Sequence, residues 1–188
     1  MNIETEKPAL LLIDIQYGLD DWDFYGGNRN NLQTEENAAR FLQRWRVLKL
    51  PIYHIRHSSQ NPESPLHASK PGFAIKKEVL PITGEPVISK NVNSAFIGTN
   101  LENLLKEAGI SVVVILGLTT NHCISTSVRM ASNLGFKTYL ISDATATFDR
   151  MGLNGEKFDA ELIHQTTLAS LNEEFATVLE TDSFLSSL

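Results

Sequence analysis

Cys123 is the only cysteine of the chain, and it stands where an apolar run, Val112-Val113-Val114-Ile115-Leu116, passes through Gly117-Leu118-Thr119-Thr120-Asn121-His122 into a helical pattern. A thiol at the start of a helix meets unpaired backbone N–H groups and the positive end of the helix dipole, and both favour thiolate over thiol. Two further reactive groups also follow strand-like runs: Asp14 after Ala9–Ile13, and Lys90 after the run that closes at Ser89. A carboxylate of this kind can take a thiol proton and later return it to a leaving amine. An ammonium beside it favours the ionised partners and orients them. The thiolate can attack an amide carbonyl, giving an acyl-thioester that water hydrolyses. Taken singly, each residue has a plainer reading. A free cysteine packs as a small hydrophobe, an aspartate ends a strand, and a lysine is a solvated surface charge.

The elements that would carry these groups alternate along the chain. Short apolar runs at 9–13, 52–55, 86–89, 111–116, 138–141 and 175–179 read as strands, several of them apolar throughout, as strands buried on both faces are. Helical patterns lie between them. Ala38, Phe41, Leu42 and Trp45 recur at three- and four-residue spacing. Thr99-Asn100-Leu101-Glu102 reads as a capping box, with Gly109 where a closing glycine belongs. A third helix follows Cys123 to Leu134, with Ile124, Val128 and Ala131 on one side and Gly135 as its stop; Asp159 is placed to cap a fourth, carrying Leu162, Ile163 and Ala169. Alternation of this kind predicts an α/β fold: a three-layer, Rossmann-like arrangement with a mostly parallel central sheet and helices on both faces, as a single domain over residues 1–188. Segments 18–31 and 61–84 collect glycine and proline and read as loops. Ligands of open α/β sheets bind beyond the carboxyl ends of the strands, where Asp14, Lys90 and Cys123 all fall.

Composition narrows the partners. A formal net charge of −6 without a basic cluster argues against a nucleic-acid or anionic-membrane surface. One cysteine allows neither an intrachain disulfide nor a Cys-rich metal centre, and the run at 9–13 is too short for a signal or membrane segment, so a cytoplasmic protein is expected. Gly26-Gly27 does not make a dinucleotide turn and no phosphate-loop pattern occurs, so no cofactor is expected and the partner is a small-molecule substrate.

Three motifs together resemble the isochorismatase-like cysteine hydrolases, which include nicotinamidases, carbamoylsarcosine amidases, ureidoacrylate and biuret hydrolases, and isochorismatase itself. They are Leu11-Leu12-Ile13-Asp14-Ile15-Gln16, Lys90-Asn91-Val92-Asn93-Ser94-Ala95-Phe96, and Gly117-Leu118-Thr119-Thr120-Asn121-His122-Cys123 with Thr126, Arg129 and Ala131. Gly135-Phe136 and Asp143-Ala144 extend the likeness over nearly the whole chain. The resemblance implies an Asp14–Lys90–Cys123 triad and a cis peptide at Leu118–Thr119, which would bring the Thr119 and Cys123 backbone N–H groups together as an oxyanion hole. It also implies a homo-oligomer, a dimer or tetramer.

Nicotinamidases of that family bind a metal through an Asp-x-His pair after the second strand and a later histidine. His54, His57 and His67 lie in that region, but Ile55 in Ile55-Arg56-His57 matches the aspartate, and an aliphatic side chain cannot ligate. No metal is therefore expected, and His57 is assigned to the pocket wall or to a loop hydrogen bond. Trp22, Phe24, Tyr25 and Phe96 are candidates for the apolar wall, and Gln16 and Asn121 for its polar groups. The leading expectation is a thiol hydrolase of a small amide, carbamoyl or ureido compound. The alternatives are a vinyl-ether hydrolase that uses Asp14 as general acid and needs no cysteine, and a thiol sensor on the same scaffold.

Overall fold

The computed structural model describes residues 6–188. Its centre is a sheet of six strands, β1 (Ala9–Ile13), β2 (Ile52–His57), β3 (Val87–Lys90), β4 (Val112–Leu118), β5 (Lys137–Ala146) and β8 (Thr177–Leu179), in the order β3-β2-β1-β4-β5-β8. Every neighbouring pair in it is parallel. Two short strands, β6 (Arg150–Met151) and β7 (Lys157–Phe158), form a separate antiparallel hairpin that the sequence pattern does not announce. The helices are α1 (Trp22–Tyr25), α2 (Thr34–Leu48), α3 (Leu101–Glu107), α4 (Ser125–Asn133), α5 (Ala160–Leu171) and α6 (Thr181–Ser186).

Alternation along the strands divides the core in two. Leu10 and Leu12 of β1 and Val114 and Leu116 of β4 pack with Phe41, Leu42 and Trp45 of α2 and Phe184 of α6. Ala9, Leu11 and Ile13, with Val113 and Ile115, face Leu101 and Leu105 of α3, Val128 and Ala131 of α4, and Leu168 and Leu171 of α5. β1 and β4 are buried at every position, as the uninterrupted apolar runs require.

Helix ends differ in detail from the sequence pattern. Asn100, not Thr99, is the N-cap of α3, and its side chain makes no capping bond; the Thr99 hydroxyl accepts from the Leu101 N–H at 3.4 Å and donates to the Ala95 carbonyl at 2.7 Å. Asp159 occupies the N-cap of α5 but its side chain makes no capping bond, while the free N–H of Ala160 donates to Asp149 Oδ1 at 2.7 Å. The chain runs outward in opposite directions from the β1–β4 pair, first to β2 and β3 and later to β5 and β8. The crevice at that reversal is where such sheets bind ligands. Among the described residues no helix is long and apolar enough to cross a membrane.

Candidate active site

Two backbone features bring the ends of β1 and β4 together. Asp14 leaves β1 in the left-handed region, at φ 54°, a conformation that aspartate tolerates better than most residues, while its N–H still donates to the Ile55 carbonyl of β2 at 2.8 Å. Gly117 lies opposite Ile13 in the sheet at φ +125°, and a Cβ there would stand 1.9 Å from the Ile13 carbonyl oxygen. Only glycine permits that approach. Past Gly117 the Leu118–Thr119 peptide is cis, and one π-helical turn, Thr120–Ile124, carries Cys123 before α4 begins. Thr120 Oγ1 lies 2.9 Å from His164 Nδ1 of α5, and Asn121 Oδ1 accepts from Thr147 Oγ1 at 2.5 Å, so both sides of this turn are held by neighbouring elements.

The structure brings Asp14, Lys90 and Cys123 into contact. From the end of β3, Lys90 Nζ donates to Asp14 Oδ2 at 2.6 Å and to Cys123 Sγ at 3.3 Å. The same Nζ lies 3.0 Å from His57 Nδ1. Asp14 and Lys90 are each 2% exposed. Among the described residues Asp14 Oδ1 is buried without a hydrogen-bond partner, and Cys123 Sγ also lies 3.8 Å from Asn93 Oδ1.

The electrostatics correct one expectation. Burial pushes the Cys123 thiol well above its usual range and the nearby Asp14 carboxylate pushes it further, while Lys90 opposes them. Cys123 lies within the π-turn ahead of α4, so removal from water outweighs the helix terminus and the resting group is a thiol. For Lys90, burial works against the charge but the neighbouring Asp14 carboxylate outweighs it, and its ammonium is held above the usual lysine range. Burial, and then Lys90, lower His57 below the usual histidine value.

A cavity of about 320 Å³ opens onto Asp14, His57 and Cys123, with the Lys90 side chain buried behind them. Of the expected wall, Tyr25 and His57 line it together with Asp14, Cys123 and Thr119. Burial raises Tyr25 to about 12, which keeps it a neutral phenol there. The other expected wall residues lie elsewhere. Phe96 is buried against Phe136 in the core, and Trp22 and Phe24 are 37% and 49% exposed. Asn121 is turned to Thr147. The buried amide of Gln16 brackets the His57 backbone, accepting from its N–H at 2.7 Å and donating to its carbonyl at 3.1 Å, and it donates to the Phe73 carbonyl at 2.8 Å. Gln16 thus prolongs the β1–β2 ladder past the end of β1. Six residues that line the cavity are not anticipated from the sequence: Leu19, Ser64, Leu66, Asn93, Leu118 and His122. Asn93 and His122 lie inside the Lys90 and Cys123 motifs, which are the signal that could have found them; Ser64 and Leu66 come from a loop whose path no periodic pattern reveals.

The histidines do not gather into the ligand set of a metal-binding relative. Buried His54 turns to Glu85, with Nε2 2.9 Å from Oε2, and His67 Nδ1 contacts Ser69 Oγ at 2.8 Å. Ile55 is a core residue. Among the described residues, one group of three possible ligand atoms lies within 4.8 Å, from Asp14, His57 and Cys123, and the Lys90 ammonium is bonded to each of these residues. A lysine cation fills that position, and the residues present do not fit a metal.

A doubly wound parallel sheet with reactive side chains gathered over the ends of β1, β3 and β4 defines a hydrolase-type site on an α/β fold. The Isochorismatase domain model matches residues 8–183, and the chain belongs to that family of hydrolases. It is 49% identical over 180 residues to the isochorismatase family protein YrdC of Bacillus subtilis, itself uncharacterised, covering 96% of this chain and 95% of that one. The solved structure of an isochorismatase-family protein from Chromobacterium violaceum superposes with a TM-score of 0.93 at 42% identity, covering 100% of this chain and 96% of the other. Nicotinamidase 3 of Arabidopsis thaliana is 28% identical over 193 residues, covering 96% of this chain and 88% of that protein.

Proposed function

We propose that this family member is a cysteine hydrolase that cleaves the C–N bond of a small amide, carbamoyl or ureido compound. One observation carries the reading: beneath the wall of a cavity that Asp14 and Cys123 line, a buried ammonium bonds both that carboxylate and the chain's only thiol. A resting thiol needs a base, and the Asp14 carboxylate, one oxygen of which has no hydrogen-bond partner among the described residues, is beside it. As Sγ attacks the carbonyl carbon, its proton passes to Asp14 and the carbonyl electrons move to oxygen. The backbone N–H groups of Thr119 and Cys123 receive that oxyanion. Collapse expels the amine, which takes the proton from Asp14, and leaves a thioester on Cys123. Water then adds to the thioester, giving a proton to Asp14; the acid departs and the thiol is restored. Lys90 keeps its charge throughout and faces one anion at each stage, first the carboxylate and then the thiolate. The Arabidopsis nicotinamidase supports the amide class by its name.

The test is a screen of small amides and ureides for ammonia release, followed by acid quench of a turning-over sample. The expected result is a mass increase on Cys123 equal to the acyl group, and loss of turnover by several orders of magnitude in Cys123→Ala. Turnover surviving Cys123→Ala while Asp14→Asn abolishes it would replace this reading with general-acid chemistry on Asp14.

A further inference from the structure

We propose that His57 is a positioning residue: a neutral imidazole that accepts the third N–H of Lys90 and so keeps that ammonium aimed at Asp14 and Cys123. The inference rests on Cys123 being the nucleophile. Lys90 and His57 are register partners in the parallel β2–β3 pair, so both side chains leave the sheet on the side of the site. An ammonium has three N–H donors and no acceptor. Here the three find Asp14 Oδ2 at 2.6 Å, His57 Nδ1 at 3.0 Å and Cys123 Sγ at 3.3 Å. The proton of the imidazole must therefore sit on Nε2, and Nδ1 is occupied and cannot take a proton from a substrate. The His57 backbone is itself fixed by both atoms of the Gln16 amide. A buried Lys90 with two acceptors would have a donor to satisfy elsewhere and would be free to swing away from the weakly accepting sulfur.

The chemistry explains why the third acceptor is uncharged. With the proton on the thiol, the site holds one carboxylate and one ammonium. After transfer to Asp14 it holds one thiolate and one ammonium, so its net charge is unchanged. A carboxylate in place of His57 would compete with the thiolate for Lys90, and a protonated imidazole would repel it. A neutral acceptor does neither.

Alkylation of Cys123 by iodoacetamide, followed by mass spectrometry of the intact chain, reads thiolate formation without any substrate. The measurement is therefore independent of what the substrate screen finds. Loss of one hydrogen bond to a charged group corresponds to about 10- to 100-fold, and His57→Leu is expected to slow alkylation by that factor. His57→Asn, whose Oδ1 can occupy the place of Nδ1, is expected to stay within about threefold of wild type by the same reasoning. In the unmodified protein, ¹⁵N spectra assigned by the signal missing from His57→Asn should show an unprotonated Nδ1 and a protonated Nε2 on His57 at neutral pH. Equal slowing in both variants, no slowing in either, or a proton on Nδ1 would each overturn the proposal.

Discussion

Among the buried ionic clusters of the described residues, those around Glu35 and Asp14 differ in how completely their carboxylates are satisfied. On the outer edge of α2, Glu35 is saturated. Its Oε1 accepts from Arg29 at 2.9 Å and from Lys76 at 2.6 Å, and its Oε2 accepts from Arg29 at 2.8 Å. Against the cost of burial, these two cations hold its carboxyl down at about 2. Asp14 is buried more deeply than Glu35, yet it has one cation and one empty oxygen, and its cation is shared with a thiol and an imidazole. A saturated carboxylate has nowhere to receive a proton at neutral pH and serves to fasten loops to α2. An unsaturated one beside a proton donor can work as a base. In the mechanism proposed above, it is this unfilled acceptor, and not burial or pairing alone, that lets Asp14 take a proton.

The largest test of that contrast exchanges each carboxylate for its amide. Asp14→Asn should lower turnover about 10³-fold or more, because proton transfer from the thiol loses its acceptor. Glu35→Gln should leave turnover within about twofold, yet lower the free energy of unfolding by about 3 kcal/mol, since Arg29 and Lys76, each 5% exposed, lose their shared anion. Kinetics of the substrate found in the screen, with denaturant melts of both variants, measure this. A Glu35→Gln enzyme that melts like wild type but turns over poorly would erase the distinction.

The next effect is set by pH. The Glu35 carboxyl titrates near 4.5 when free and at about 2 in the fold, so its pKa is depressed on folding. Its stabilisation is complete above 4.5 and disappears as pH falls through about 2. At about 1.4 kcal/mol per pH unit, a displacement of this size is worth up to about 3 kcal/mol. The stability difference between wild type and Glu35→Gln should therefore be constant from pH 7 to 5 and close between pH 4.5 and 2. A difference that persists at pH 2 would show that Glu35 acts through packing rather than charge.

The reactive cluster was the more legible of the two in the sequence. Asp14, Lys90 and Cys123 each follow an apolar run, and a parallel sheet carries the ends of such runs to one edge, so periodicity sufficed to place them on one side. The six sheet strands follow for the same reason, β1 with both ends exact and the others with ends off by one to several residues; β5 runs on to Ala146, past the apolar stretch that signals it. What periodicity does not carry is side-chain direction in loops. Phe96 and Asn121 lie within motifs yet turn away from the cavity, and Leu19, Ser64 and Leu66 reach it from segments with no repeating pattern. The thiol's state also escaped a reading from position, because the helix terminus is a local feature and desolvation depends on everything packed around the sulfur. The Glu35 cluster joins residues 20, 29, 35 and 76, a set that no spacing rule connects.

The smallest expected effect isolates burial from geometry. Lys106 and Glu102 pair across one turn of α3 at 2.5 Å, as short as any contact in the Glu35 cluster, but their side chains are 57% and 34% exposed. Water already solvates both charges in the unfolded chain and screens them in the folded one, and holding two long side chains together costs rotamer freedom. Lys106→Gln should therefore change the unfolding free energy by no more than about 0.5 kcal/mol, and less in high salt. Denaturant melts at low and high ionic strength measure this directly. A loss comparable to that of Glu35→Gln would mean that distance, and not removal from water, sets the worth of an ion pair here. The contrast between the two buried clusters would then have to be redrawn on separation alone, which their nearly equal contact distances do not allow.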